Sequence, residues 1–124
     1  MILDSNLIID ASRPEYSGLR HVIRHHAPGV SAISVLKVLG YHKLLEIDRV
    51  YFERFFAASE ILPLNDAVIE TAVSLRQTKK RSVGDSLVAA TALVFGRELL
   101  THNIKDFTGI PGLSVSDPLQ IDSP

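Results

Sequence analysis

The 124-residue chain has no cysteine. That excludes a disulfide framework and a thiolate metal site, and it fits a reducing compartment. A basic segment ahead of the first apolar residues is also missing. "MILDSNLIID" carries an aspartate at position 4 instead and does not read as a signal peptide. The longest apolar run, "LVAATALVF" at 87–95, is less than half of what a bilayer span needs, so no membrane partner is expected and a cytoplasmic location is. Repeats and low-complexity stretches are absent. So are a P-loop, a dinucleotide fingerprint and a serine elbow, since "FGRE" and "GIPG" supply none of them.

What the chain does have is 46% hydrophobic against 22% charged residues, enough to bury a core in one domain spanning 1–124. The formal charge of −1 discriminates nothing, so local clusters must carry the functional argument. Short apolar runs alternate with longer helical ones. Candidate strands are "ILD" (2–4), "GVSAI" (29–33), "ILPL" (61–64), "LLT" (99–101) and "LSV" (113–115). Helical patterns fill residues 5–26, "ISVLKVLGYHKL" (33–44), "DRVYFERFFAASE" (48–60), "NDAVIETAVSLRQTKK" (65–80, capped by Asn65 or Asp66) and "SVGDSLVAATALVFG" (82–96). The last is apolar nearly all round and should be buried, with Gly96 near its end. The tail "SDPLQIDSP" reads as extended. Alternating strands and helices argue for an α/β fold with a parallel sheet covered on both faces, and ligands gather at the carboxyl edge of such a sheet.

Three carboxylates belong to that edge. Asp4 ends the first strand, Asp85 opens the buried helix, and Asp106 follows the fourth strand in "THNIKDF". Singly, each has a plain explanation: Asp4 can cap a helix, and Ser82/Asp85 and Asn103/Asp106 have capping-box spacing. Together they would repel one another, and an oxygen-ligated Mg²⁺ or Mn²⁺ relieves that repulsion in a way suited to phosphodiester hydrolysis. Arg76, Lys79, Lys80 and Arg81 lie just before Asp85; they read equally well as a solvated helix end and as contacts to an RNA backbone. His21 and His25 have zinc-compatible i, i+4 spacing but no acidic partner, and a surface helix explains them better.

Lys37 is the odd residue. At about 100° per residue it lies roughly opposite His42, Lys43 and Glu46, which points it inward, where an ammonium needs compensating negative charge or an outlet to water.

In this order and spacing, "ILDSNLIID", "SAISVLKVLGY", "SVGDSLVAATAL" and "LLTHNIKDFTGIPGLSVSDP" resemble the PIN-domain family, and within it the VapC-like ribonuclease toxins of toxin–antitoxin pairs. The resemblance implies a three-layer α/β/α sandwich with a parallel sheet of about five strands and Mg²⁺- or Mn²⁺-dependent cleavage of RNA. It also implies a homodimer and a cognate antitoxin protein that inserts a segment into the active-site groove. Asp4, Asp85 and Asp106 would be the catalytic and metal-binding residues, with Asn103 completing the acidic pocket. Where the family's second motif carries glutamate, this chain has Lys37, which should project toward the aspartates and weaken metal binding. Two readings stay open: an inactivating change in an active toxin, and a degenerate member that binds antitoxin or nucleic acid without cutting. Glu46 falls on the wrong side of the helix and Asp48 about three turns away, so neither substitutes for the missing glutamate. A receiver-like phosphorylation domain would need an acceptor aspartate ending the third strand, where only Asp66 stands, and paired N-terminal acids that the chain does not have.

Overall fold

The computed structural model describes residues 1–121. Five short strands, β1 (Ile2–Leu3), β2 (Gly29–Ser31), β3 (Ile61–Leu62), β4 (Leu99–Leu100) and β5 (Val115–Ser116), form one sheet in the order β3-β2-β1-β4-β5, every pairing parallel. Ile2 is in register with Gly29 on one side and Leu99 on the other. The chain lays down β1, β2 and β3 in one direction and then returns to place β4 on the free side of β1. Strand order therefore reverses between β1 and β4, where a parallel sheet opens a crevice at its carboxyl edge.

Between the strands run α1 (Ser5–Ala11), α2 (Ser17–His26), α3 (Ala32–Leu39), α4 (Glu46–Ala57), α5 (Asp66–Thr78) and α6 (Val83–Val94), with 3-10 turns at Pro14–Tyr16 and Ile104–Phe107 and a final single turn, α7 (Pro118–Ile121). Side chains alternate across the sheet. Ile2 and Leu99 pack under α5 and α6 with Val68, Val88 and Ala92, whereas Leu3, Val30 and Leu100 pack under α1, α2 and α4 with Leu7, Ile8, Leu19, Phe52 and Phe56. Each aliphatic side chain buried in these layers contributes about 1.5–3 kcal/mol. Helix α3 belongs to both layers: Ile33 joins the first and Val38 the second, so the helix lies over the carboxyl edge of the sheet.

Local sequence explains the helix ends. Ser31, Asn65 and Ser82 cap α3, α5 and α6 by accepting from the N–H groups of Ile33, Val68 and Asp85. Gly96, at φ +64°, closes α6 with its N–H on the Leu93 carbonyl and the Arg97 N–H on that of Ala92. The helical stretch 5–26 divides into α1, a 3-10 turn and α2, and other elements also differ from the sequence reading. Helix α3 stops at Leu39 instead of running to Leu44; Gly40 is its C-cap, its N–H on the Leu36 carbonyl at 2.9 Å, in an approach so close that a Cβ there would collide with that carbonyl. The tail turns helical at Pro118, a residue pre-set for a first turn, and Asp117 Oδ1 accepts the Leu119 N–H at 3.0 Å; residues 122–124 lie outside the described part.

Candidate functional site

Asp4 stands where β1 gives way to α1, at the strand-order reversal. Its N–H continues the ladder to the Leu100 carbonyl (2.9 Å), which fixes the residue before its side chain makes any contact. Although it occupies the N-cap position of α1, its carboxylate makes no cap bond there. Instead Thr101, the residue after β4, donates its hydroxyl to Asp4 Oδ2 at 2.8 Å, and both side chains are buried. Burial pushes the Asp4 carboxyl above its ordinary range; the Thr101 hydrogen bond opposes this, the neighbouring Asp85 carboxylate adds to it, and the Ser5 N–H and the Lys37 ammonium draw it back down. A carboxylate held two per cent exposed at the mouth of a crevice is costly unless a cation comes to it.

Asp85 reaches the same place from the first turn of α6. Half of the capping box forms: Ser82 Oγ accepts the Asp85 N–H at 3.0 Å, while the Asp85 carboxylate itself makes no hydrogen bond among the described residues. It is left half-buried and available. Beside it is Gly84, whose missing side chain makes room for Lys37. A Cβ on Gly84 would meet Lys37 Cδ at 3.2 Å and Nζ at 3.3 Å, so the lysine stem lies across the first turn of α6.

Of the two ways open to an inward-directed Lys37, compensation by negative charge or an outlet to water, the structure shows the outlet. The residue is exposed and makes no ion pair with either aspartate among the described residues. Its apolar stem covers Gly84 and the ammonium reaches water, the outlet open to a long cationic side chain. Its charge nevertheless acts on Asp4.

Asp106 and Asn103 sit further out, exposed on and before the 3-10 turn Ile104–Phe107. The Asn103 side chain makes no cap bond; the Asp106 N–H goes to the Asn103 carbonyl at 3.0 Å. Asp106 and Asp85 share the walls of a cleft of about 190 Å³ together with Lys79, Lys80, Arg81, Ser82 and Lys105. Asp4 does not line this cleft. The three aspartates are thus strung along one edge, Asp4 coupled to Asp85, and Asp85 facing the cleft that Asp106 also lines.

The four basic residues before Asp85 separate. Arg76 turns its Nε to the Arg81 carbonyl (3.2 Å) and borders an apolar depression with Ile69, Val73 and Val83. Arg81 directs Nη1 to the Leu75 carbonyl at 2.6 Å, satisfying the end of α5. Lys79 and Lys80 are exposed in the cleft wall, and Lys105 joins them from the opposite element. His21 and His25 are exposed and stack on one another with ring centres 6.2 Å apart, as a surface helix would present them.

Two contributors carry no role in the sequence analysis. Thr101 is one; its signal is a hydroxyl ending the strand beside β1. The other is the pair His102 Nδ1 and Asp117 Oδ2 at 2.9 Å, which joins the ends of β4 and β5.

Oxygen donors at Asp4 and Asp85 suit a hard divalent cation, which can bind through one or two carboxylates and keep its waters. Among the described residues no group of three or more histidines and carboxylates is close enough to hold a metal ion, and Lys37 opposes one in charge. The donor chemistry fits such an ion; the donor number among the described residues and the local charge do not favour it.

Fold and site together define a parallel α/β/α domain with an acidic centre at its strand-order reversal. A family model described as the PIN domain matches residues 1–112, and the chain belongs to that family. Among solved structures, a chain of the toxin–antitoxin complex from Klebsiella pneumoniae is 28% identical over 94% of this chain and 96% of that one, with a TM-score of 0.76. A chain of DNA-bound VapBC from Salmonella typhimurium is 21% identical at the same coverages with a TM-score of 0.83. One from FitAcB of Neisseria gonorrhoeae is 20% identical over 97% and 99%, with a TM-score of 0.76. The last two speak to the fold alone. No curated protein matches the chain significantly. No helix among the described residues is long and apolar enough to cross a membrane.

Proposed function

We propose that this chain is a PIN-domain ribonuclease of the VapC toxin type, working in the cytoplasm and held at low activity by Lys37. The observation that carries the reading is the approach of two carboxylates, Asp4 and Asp85, at the strand-order reversal, next to a cleft whose walls bear exposed lysines. Likeness to a chain of a toxin–antitoxin complex supports a protein antitoxin as partner, and the family resemblance a homodimer.

Mg²⁺ or Mn²⁺, when bound, would neutralise charge on phosphate oxygens and lower the pKa of a water that attacks phosphorus. The protein's part is to hold donors. Thr101 fixes the Asp4 carboxylate and favours its ionised form, Ser82 fixes the turn that aims Asp85, and the Asp106 carboxylate faces the cleft where a scissile backbone would lie. Lys37 works against them. Exchanging it for glutamate would change the local charge by two units in favour of a dication, about 1–2 kcal/mol after solvent and salt screening, or roughly tenfold in cation affinity.

The same lysine favours a second reading, a PIN module that binds antitoxin or RNA without cutting. Incubation of a mixed RNA pool with Mn²⁺ decides between them, using the chain as it stands and Lys37→Glu, each with and without chelator. Chelator-sensitive cleavage that appears or rises strongly in Lys37→Glu and vanishes in Lys37→Glu/Asp4→Asn is expected. Cleavage indifferent to both chelator and Asp4 would refute the assignment of the site, and no cleavage by either protein would leave the binding module.

A further inference from the structure

We infer that His21 and His25, one turn apart on the exposed side of α2, form a metal site for a borderline transition cation of the Zn²⁺, Ni²⁺ and Cu²⁺ class, remote from the acidic centre. The inference goes beyond the nuclease reading and does not depend on it.

Helix α2 buries Leu19 and Val22. At about 100° per residue His21 and His25 fall roughly 40° apart round the helix, and both are exposed. Their rings lie side by side, centres 6.2 Å apart and planes 9° apart. A zinc–nitrogen bond of about 2.0–2.1 Å, plus ~1.1 Å from nitrogen to ring centre, sets two rings that share an ion roughly 5 Å apart at the tetrahedral angle. The pair therefore has to close by only about 1 Å, which small χ rotations of two exposed side chains supply. Nothing has to be broken first, since neither side chain makes a hydrogen bond or ion pair among the described residues. The approach is also open: Gly18, one turn before His21, has no atom within 4 Å of where a Cβ would stand.

The donors select the ion. Helix α2 contains no carboxylate, so the oxygen-seeking Mg²⁺ and Mn²⁺ gain nothing there, whereas neutral imidazole suits Zn²⁺, Ni²⁺ and Cu²⁺. The aspartates have the converse preference, and the fold keeps the two sets apart. Helix α2 ends at His26, three residues before β2 begins at Gly29, so His25 stands near the amino edge of the sheet while Asp4 and Asp85 stand at its carboxyl edge. Two charges act on a cation held by the pair. The carbonyl end of α2 favours it, because His25 is in the last turn; Arg24, exposed and about 60° round the helix from His21, opposes it. With two protein donors the remaining coordination positions go to water. His26 meets His25 edge-on at 4.9 Å, but it leaves the helix about 100° further round and is half-buried, which takes it out of the donor set.

The test is calorimetric titration of the full chain with Ni²⁺ at neutral pH in excess Mg²⁺, which competes for oxygen donors. One Ni²⁺ binds per chain, and His21→Gln and His25→Gln each weaken binding by about tenfold or more, because each leaves a lone imidazole without its intramolecular second donor. Saturating Ni²⁺ raises the Tm of the parent by about 3 °C or more and leaves that of either variant nearly unmoved. His26→Gln, His42→Gln and Asp4→Asn keep the isotherm of the parent, and circular dichroism confirms that each variant is folded. The inference is overturned if the parent binds no Ni²⁺, if His21→Gln binds it as tightly as the parent, if His26→Gln or Asp4→Asn weakens binding as much as His25→Gln does, or if excess Mg²⁺ abolishes it. Cleavage of RNA by Lys37→Glu, present or absent, bears on the nuclease reading alone.

Discussion

Replacing Thr101 with valine isolates the contact on which the acidic centre depends. Valine keeps the shape and the strand preference of threonine, and position 101 is fully buried, so packing alone predicts no loss and even a small gain. The hydrogen bond predicts the opposite. Thr101 Oγ1 donates to a buried carboxylate oxygen at 2.8 Å and accepts the Asn103 N–H at 3.0 Å. A bond to an ionised group contributes about 1.5–3 kcal/mol, whereas the Asn103 N–H, on an exposed residue, can turn to water at little cost. The expected destabilisation at neutral pH is therefore about 2–3 kcal/mol. For a chain of this length that lowers Tm by roughly 8–12 °C and leaves the protein folded.

The assay is urea unfolding in chelator, with a double-mutant cycle against Asp4→Asn. In the asparagine background Thr101 faces a neutral amide oxygen, and its loss should cost only about 1 kcal/mol, giving a coupling of about 1–2 kcal/mol. The cost should also shrink in acid, where Asp4 takes up a proton. A loss below about 0.5 kcal/mol, or the same loss in both backgrounds, would refute the claim that Thr101 holds the Asp4 carboxylate.

Further outcomes follow from the same electrostatics and from the backbone. The Asp4 carboxyl is raised above its ordinary range, so the folded protein holds a proton that the unfolded chain has already released, and stability falls as pH rises through the raised value. Asp4→Asn should accordingly be the more stable protein at pH 7 in chelator, its advantage fading below the usual carboxylate range; equal unfolding midpoints at pH 7 would contradict this. Lys37→Glu should lose stability at neutral pH in chelator, since it removes the cation that draws Asp4 down and adds a third carboxylate, and should regain it as Mn²⁺ is titrated in. A variant whose Tm ignores Mn²⁺ would show that no cation is held there. Ala27 ends α2 at φ +43°, a conformation that favours glycine, so Ala27→Gly should raise stability by about 0.5–1 kcal/mol in chemical denaturation, and a decrease would mean that the strain is absent.

Much of the fold was legible because buried parallel strands read as short apolar runs with few alternatives. Runs at "ILD", "GVSAI", "ILPL" and "LLT" each contain the strand that forms, trimmed where a cap takes over, as at Ser31; "LSV" meets β5 only at Val115. The boundaries that failed depend on contacts a one-dimensional pattern does not hold. Gly40 caps α3 in an approach to the Leu36 carbonyl that leaves no room for a Cβ, and Asp117 is placed to cap the final turn. The site was legible to the level of residues at one edge of the sheet. How they divide was not: Asp4 with Thr101 and Asp85, and Asp106 with the lysines, depend on the 97-residue separation that β1–β4 pairing closes. Arg76 and Arg81 look like free cations in "RQTKKRS", and only the folded end of α5 shows that its carbonyl and the connection beyond it engage them.

Lys37 can be understood from the helix that carries it. Ile33 and Val38 anchor α3 in two different cores, so the direction of position 37 is set by packing that does not involve its own side chain. Any residue there leaves the helix over the first turn of α6, and Gly84 keeps that path open whether the side chain ends in an ammonium or a carboxylate. A lysine at this point therefore costs the fold nothing and changes only the charge beside Asp4 and Asp85. Such a position can alter the electrostatics of the acidic centre while the packing around it stays the same. The Asp4 carboxylate takes its hydrogen bond from Thr101 and not from residue 37, so an exchange at 37 reaches it through charge alone.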